Sequence, residues 1–109
     1  MESVYEEALA LELRLRGVPF DRQVPISVEY KGARVVEARL DLLVGGELVV
    51  ELKAVEAFAP VHLAQVVSYL KATGHALALL ITFNVRALRS GIRRIIHSSA
   101  SARIPDCEL

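Results

Sequence analysis

The sequence has only one cysteine, Cys107, so it cannot form an internal disulfide bond. Disulfides are common in small proteins of oxidising compartments, and their absence favours a cytoplasmic location. Long apolar runs are missing as well. The longest of them, residues 76–81, falls far short of the roughly 20 residues that a membrane-spanning helix requires. Neither a membrane protein nor a secreted disulfide-rich domain is therefore expected.

The sequence also lacks net charge, but its charges are unevenly distributed. Residues 1–56 contain 11 acidic and 7 basic residues, whereas residues 57–109 contain 2 acidic and 6 basic ones. An acidic part can bind a metal ion and a basic part can bind phosphate. A small protein can also divide its charges in this way without either function, so the pattern leaves both explanations open.

Apolar residues, in contrast, are abundant. They make up 53% of the 109 residues, which argues against disorder. A chain of this length fits one domain with a small core. We therefore predict a single domain over residues 1–109, in which residues 98–109 form a frayed polar tail.

Apolar periodicity and turn residues predict the order of the secondary structure. Residues 2–16 form a helix with two neighbouring apolar stripes, Val4–Ala8–Leu11–Leu15 and Tyr5–Leu9–Leu13. Alternation and glycine turns then predict three antiparallel strands, a second helix and a buried fourth strand, at 20–30, 34–44, 47–54, 60–73 and 76–83. Residues 86–97 are predicted to form a short basic helix or turn.

Two apolar strands of the predicted hairpin are interrupted by charged residues. Asp41 lies within the apolar segment 40–44, and Glu51 and Lys53 end another apolar strand on one shared face. Charges in such strands are costly unless they are paired or bound to a metal ion. Two carboxylates near an ammonium group suit a divalent cation, and the lysine can assist an attacking water or stabilise a phosphate. A plain ion pair on an exposed sheet is the alternative.

The hairpin loop decides whether Asp41 and Glu51 can share a site. A two-residue Gly45-Gly46 loop would pair Asp41 with Val50 and place Glu51 on the opposite face. An odd-length or bulged loop brings both carboxylates to one face. We predict a three-residue loop of residues 44–46 in which Gly46 is left-handed.

Both helices carry polar side chains that can face this site. On the second helix, His62, Gln65 and Tyr69 recur at spacings of three and four and can contact phosphate or a metal-bound water. On the first helix, Glu6 is the better candidate for a carboxylate that faces the site, with Glu2 one turn before it. The alternatives are ordinary surface hydrogen bonds for the stripe and a solvated helix start for the glutamates.

Four arginines are concentrated near the end of the chain, at positions 86, 89, 93 and 94. If residues 86–97 are helical, Arg86, Arg89 and Arg93 share one face and can bind a nucleic-acid backbone. An ordinary charged surface helix is the alternative.

Five segments, taken together and in this order, resemble the small bacterial GxxExxR proteins of the PD-(D/E)XK nuclease superfamily. They are ESVYEEAL at 2–9, LDLLV at 40–44, VELKAV at 50–55, HLAQ with YL at 62–65 and 69–70, and LITFN at 80–84. The resemblance implies an α/β (α+β) restriction-endonuclease-like fold, with an αβββαβ core and a mixed sheet flanked by helices.

The same resemblance implies the composition of the site. Mg²⁺ or Mn²⁺ would bind at Asp41 and Glu51, with Lys53 as the third signature residue and Glu6 or Glu2 supporting the metal. Gln65 and Tyr69 match the superfamily's Gln-x-x-x-Tyr pattern.

Taken with the residues, the resemblance predicts a metal-dependent nuclease acting on DNA, with RNA as the less favoured substrate. His62, Tyr69 and the arginines would contact the nucleic acid. A homodimer is expected, because a chain this small has little room for a substrate-reading domain. A nucleic-acid-binding or assembly module that does not cleave is the alternative.

Overall fold

The computed structural model describes residues 1–97 and 102–103. In chain order, its helices and strands are α1 (Glu2–Leu15), β1 (Phe20–Tyr30), β2 (Ala33–Val44), β3 (Leu48–Lys53), α2 (Pro60–Thr73), β4 (Leu77–Thr82), a 3-10 helix (Leu88–Gly91), β5 (Ile92–His97) and β6 (Ala102–Arg103). The helices and the first four strands agree with the prediction to within a few residues.

The six strands form one mixed sheet whose spatial order follows the chain, from β1 to β6. β3 and β4 pair in parallel and are connected through α2, whereas the other neighbours are antiparallel. α2 starts at Pro60, which suits a first helical turn, and ends at Gly74, whose left-handed backbone (φ 78°) stops the helix. The predicted αβββαβ order and mixed sheet are therefore confirmed.

The sheet has a separate core on each face. One cluster joins Val49, Leu80 and Ile95 of the sheet to Val66 and Leu70 of α2. A second cluster is formed by Leu42, Val50, Leu52 and Ile81, against which Tyr5 and Leu9 of α1 pack. The two helices thus cover opposite faces, because neighbouring residues such as Val49 and Val50 alternate between them.

Only one of the two apolar stripes of α1 contacts the sheet. Tyr5 and Leu9 pack on the core, whereas the other stripe is open to solvent, with Val4 61%, Leu11 54% and Leu15 72% exposed. Met1, one turn before Val4, is 76% exposed and continues this outward stripe. α1 therefore presents an apolar surface that no described part of the chain covers.

The prediction of a basic helix or turn at 86–97 is wrong for most of this segment. Its second half is β5, which pairs along β4 from Ile81 opposite Ile92 to Leu77 opposite Ile96. A basic composition cannot reveal that the buried strand β4 has a free edge, and pairing along that edge outweighs the local helical preference. A Cβ on Gly91 would clash with the backbone carbonyl oxygen of Thr82, so the close approach at the start of β5 requires glycine.

The three arginines predicted to share a helical face are consequently separated. Arg86 lies in the loop after β4, Arg89 in the 3-10 helix, and Arg93 on β5 opposite Leu80. In the predicted tail, Ala102 and Arg103 add a short strand to β5, while residues 98–101 and 104–109 lie outside the described part. Within the described residues, neither helix combines the length and apolarity needed to cross a bilayer.

Candidate active site

The β2–β3 hairpin satisfies the condition for bringing the two carboxylates together. Val44 pairs with Leu48, so the loop has three residues, 45–47, and its odd length confirms the prediction. The loop begins one residue later than predicted, and both of its glycines are left-handed, with φ of 62° and 73°. Continuing this register from Leu42 opposite Val50 places Asp41 opposite Glu51.

At Asp41 and Glu51, side chains replace the hydrogen bonds that the backbones of β2 and β3 would otherwise make. The backbone pairing ends at Leu42 and Val50. Beyond it, the Asp41 N–H donates to Glu51 Oε1 at 2.9 Å, and the Leu52 N–H donates to Asp41 Oδ2 at 2.8 Å. Both carboxylates therefore lie in the gap between the strands, where the backbone holds them next to each other.

The side-chain alternation of β1 and β2 reverses at the level of this gap. On β2, Leu40 packs in the α2-side core but Leu42 packs in the α1-side core, although regular alternation would put both on one face. Val24 and Phe20 differ in the same way on β1. The residue between the paired positions 22–42 and 24–40 is Gln23, whose left-handed φ of 51° accounts for the reversal on β1. Asp41 sits at the reversal on β2, and its carboxylate points along the sheet toward β3.

Two carboxylates and one lysine give the site an excess of negative charge, and part of that charge is buried. Glu51 is 3% exposed, and burial, reinforced by the neighbouring Asp41 charge, raises its pKa to about 8. Burial also raises the pKa of Asp41, whereas the charge of Lys53 lowers the pKa of both carboxyls. The positive charge of Lys53 thus acts on both carboxyls.

The donor set fits a hard divalent cation. Each carboxylate uses one oxygen in its backbone hydrogen bond, and the second oxygen is not used by these bonds. The described residues contain no group of three or more histidine, cysteine, aspartate or glutamate side chains arranged to hold a metal. Two carboxylates are nevertheless enough for Mg²⁺, which keeps several waters when proteins bind it.

α2 places Tyr69 beside the carboxylates. The pKa of Tyr69 is raised first by burial and then by the charge of Glu51, with a smaller effect from Asp41, while a hydrogen bond with the Gln65 side chain lowers it. Tyr69 and Gln65 thus lie at the α2 side of the site. His62 has another task, because its Nδ1 accepts the Ala59 N–H at 2.9 Å and caps α2. The nucleic-acid contacts proposed for His62 and Tyr69 stay predictions.

α1 contributes Glu6, whose carboxylate is held between the side chains of Arg22 and Gln23. The sequence does not predict this arrangement, which we call the Glu6 clamp. Glu6 is 8% exposed. Its Oε2 accepts the Arg22 Nε–H at 2.9 Å, and its Oε1 accepts a hydrogen from Gln23 Nε2 at 2.6 Å. The negative charges of Glu6 and Glu2 raise the pKa of Asp41. The role of Glu6 as a metal ligand stays a prediction.

No local signal in the sequence points to this clamp. Arg22 and Gln23 occupy positions in β1 that read as ordinary alternation, and the backbone of Gln23 has a conformation that favours glycine or asparagine. Arg22 also donates to Glu7 Oε1 at 2.6 Å, so its guanidinium group joins two glutamates of α1 to the sheet.

Arg86 lies at the same end of the sheet as Lys53. Thr82, the partner of Lys53 across the parallel β3–β4 pair, directly precedes the loop that carries Arg86. This loop lines an open depression of about 590 Å³ with Asn84, Ser90 and Glu56. Arg86 therefore lies close to the strand end that carries Lys53. Arg93 lies on β5 at the level of Glu51, because both residues pair with Leu80, and Arg89 lies in the 3-10 helix between them in the chain.

A mixed sheet between two helices, with a carboxylate pair and a lysine where β2 and β3 separate, defines a restriction-endonuclease-like domain. The chain belongs to the PD-(D/E)XK nuclease superfamily, whose family model matches residues 1–95. No curated protein matches the chain significantly, and neither does any solved structure.

Proposed function

We propose that this protein is a divalent-metal-dependent nuclease that binds Mg²⁺ or Mn²⁺ between Asp41 and Glu51. The observation that carries the proposal is the carboxylate pair in the strand gap, held by two backbone N–H groups, with the charge of Lys53 acting on both carboxyls. A plain surface ion pair would not bury Glu51 to 3% exposure. Buried acidic groups with raised pKa values are typical of functional sites.

The residues around the carboxylate pair have different roles in phosphodiester hydrolysis. A bound divalent cation would polarise the phosphate and supply a nucleophile at neutral pH. Lys53 stabilises the negative charge that develops on the phosphate oxygens. Gln65 and Tyr69 orient water or phosphate by hydrogen bonding from α2, and Glu6 contributes negative charge from α1.

The proposed substrate is nucleic acid, with DNA favoured over RNA. Arg86, at the end of the sheet that carries Lys53, would contact the phosphate backbone beyond the site, and Arg89 and Arg93 would add charge farther along the chain. Within the superfamily, the five segments that resemble the GxxExxR proteins support a place in that family. We also propose that residues 1–109 form one domain and that the protein is cytoplasmic. A non-cleaving nucleic-acid-binding module is the second candidate, since the fold and charges permit binding without catalysis.

Calorimetric titration of Mn²⁺ and Mg²⁺ into the wild type and into Asp41→Ala tests the metal site. The wild type is expected to bind, and the variant is expected to lose at least about 10-fold in affinity, because one of two carboxylate ligands is removed. Asp21→Ala is the matched control, since Asp21 is an exposed carboxylate on the neighbouring strand. Absence of binding by the wild type, or equal binding by wild type and Asp41→Ala, would contradict the proposal.

We also propose that the protein is a homodimer formed through the outward stripe of α1. Met1, Val4, Ala8, Leu11 and Leu15 follow spacings of three and four, as in a coiled-coil seam. Glu7 and Arg14 lie along one side of this seam. In an antiparallel two-fold pair, Glu7 of each copy would lie near Arg14 of the other, so the seam is self-complementary in charge as well as apolar.

Leu11→Glu is expected to convert the dimer to a monomer, because it puts a charge in the middle of the apolar seam on both copies. Light scattering after size-exclusion chromatography measures the mass of each variant. Val61→Glu is the matched control, since Val61 is an exposed apolar residue of α2, 67% accessible, outside the seam. A monomeric wild type, or a Leu11→Glu variant that stays dimeric, would rule out this interface.

A further inference from the structure

β1 contains a residue, Gln23, that has a strained backbone and a side-chain contact with α1. We propose that Gln23 is a positioning residue of the metal site, which orients the Glu6 carboxylate of α1 toward the cation bound at Asp41 and Glu51. This inference rests on the proposed function of that carboxylate pair. It adds a specific role for a residue outside the superfamily signature.

The first observation is the backbone of Gln23. Its φ of 51° lies in the left-handed region, and it is one of two non-glycine residues with positive φ among the described residues, the other being Lys31 at 52°. Lys31 belongs to the β1–β2 turn, where this conformation is common. Gln23 adopts it inside a strand, where nothing in the turn geometry requires it. Sparsely populated backbone conformations persist where the surrounding structure over-determines them, often at functional sites.

The second observation is what this conformation achieves. It reverses the alternation of β1, so that Phe20 and Val24 pack in opposite cores. The reversal occurs opposite Asp41, since position 22 pairs with 42 and position 24 with 40. Gln23 therefore lies at the level where the Asp41 carboxylate leaves the face of the sheet and enters the gap toward β3.

The third observation is the partner of the Gln23 side chain. Its amide donates to Glu6 Oε1 at 2.6 Å, while Arg22 donates to the other oxygen of the same carboxylate. The Glu6 carboxylate is thus held from both sides in a nearly buried position. Because Gln23 lies opposite Asp41 in the β1–β2 register, its hydrogen bond holds the Glu6 carboxylate at the level of Asp41. A carboxylate held there would attract a cation bound at Asp41.

Gln23 consequently links the two elements that the site needs. Its backbone sets the path of β1 beside Asp41, and its amide fixes the glutamate of α1. Arg22 binds the other oxygen, Oε2, and also binds Glu7, so the amide of Gln23 is the donor to Oε1. Removing the amide leaves Oε1 of Glu6 without this donor, so the carboxylate can rotate away from the cation.

Two substitutions test the side-chain amide of Gln23 and its backbone conformation separately. Gln23→Met keeps the length of the side chain and the unfavourable φ but removes the amide. Gln23→Gly removes the amide and also relieves the backbone. Both variants are expected to lose about 10-fold in Mn²⁺ affinity, the usual effect of removing a residue that orients a metal ligand. The unfolding temperature of Gln23→Gly is expected to equal or exceed that of Gln23→Met.

If the role of Gln23 were purely structural, Mn²⁺ affinity would follow the unfolding temperature in the two variants. Two further variants extend this test. In a Glu6→Gln background, Gln23→Met is expected to cause no additional loss of Mn²⁺ affinity, because the amide acts through Glu6. Lys31→Gly, the control that relieves positive φ at a turn, is expected to bind Mn²⁺ like the wild type.

The outcomes distinguish this inference from the proposed function. If Asp41→Ala loses Mn²⁺ but both Gln23 variants bind it like the wild type, the positioning role is wrong and the metal site stands. If additional loss appears in the Glu6→Gln background, Gln23 does not act through Glu6 and the inference is also wrong. If the wild type does not bind Mn²⁺, or Asp41→Ala binds equally well, the proposed metal site and the inference are both refuted.

Discussion

Lys53→Ala is expected to lower the metal-dependent cleavage rate by at least about 100-fold, the usual cost of losing one group that stabilises transition-state charge. The charge of Lys53 lowers the pKa of the half-buried Asp41 and of the buried Glu51, but an ammonium group is not a ligand for a cation. Mn²⁺ affinity is therefore expected to change far less than the rate. A nicking assay on single- and double-stranded DNA, alongside Mn²⁺ titration of the same sample, measures both quantities.

Two controls make the Lys53 experiment decisive. Lys71→Ala removes an exposed lysine near the end of α2 and is expected to cleave like the wild type. Asp41→Ala, purified identically, reports any contaminating nuclease. Cleavage that persists unchanged in both Lys53→Ala and Asp41→Ala would come from a contaminant and would favour the non-cleaving alternative.

The stability of the metal-free protein is expected to fall as pH rises from about 4.5 to about 8. Burial and the neighbouring Asp41 charge raise the pKa of Glu51 in the folded chain to about 8, from the 4.5 of an unperturbed glutamate. Between these values the folded state binds more protons than the unfolded state, so deprotonation favours unfolding. The contribution is fully present below pH 4.5 and is lost as pH passes through 8. The slope approaches about 1.4 kcal/mol per pH unit for one such group.

Denaturant unfolding in the presence of a chelator, repeated across this pH range, measures the slope. Glu51→Gln is expected to remove most of it, because the amide does not titrate. Glu47→Gln, which neutralises an exposed carboxylate in the adjacent hairpin loop, is expected to leave it unchanged. Saturating Mn²⁺ is expected to flatten the slope in the wild type, since a bound cation favours the ionised carboxylate. Stability independent of pH in the metal-free wild type would show that Glu51 does not reside in the buried pair.

The prediction of the hairpin shows how far sequence reasoning can reach at this site. Side-chain parity requires an odd loop if Asp41 and Glu51 are to meet, and two adjacent glycines make such a loop possible. The structure has the odd loop at 45–47 rather than 44–46. The difference of one residue arises because Val44 gains a strand partner in Leu48, a preference that depends on packing of the whole hairpin.

The incorrect prediction at 86–97 has a different physical origin. Arginines at helical spacing favour a helix when they are considered locally. The alternative, pairing of Ile92, Ile95 and Ile96 with β4, becomes favourable only after β4 is already in the sheet with an open edge. Local composition contains no information about that edge, and it therefore wrongly predicts that the three arginines share one helical face.

The sequence by itself determined the order of elements from α1 to β4, and it marked Asp41, Glu51 and Lys53 as candidate site residues. Both follow from local periodicity and from charges that interrupt apolar strands, and both can be read within windows of a few residues. Only the tertiary structure decided the reversal at Gln23 and Asp41, the clamp on Glu6, and the insertion of both carboxylates into the strand gap. These features depend on contacts among residues 6, 22, 23, 41 and 51, which lie far apart in the chain and meet only when α1, β1, β2 and β3 pack together.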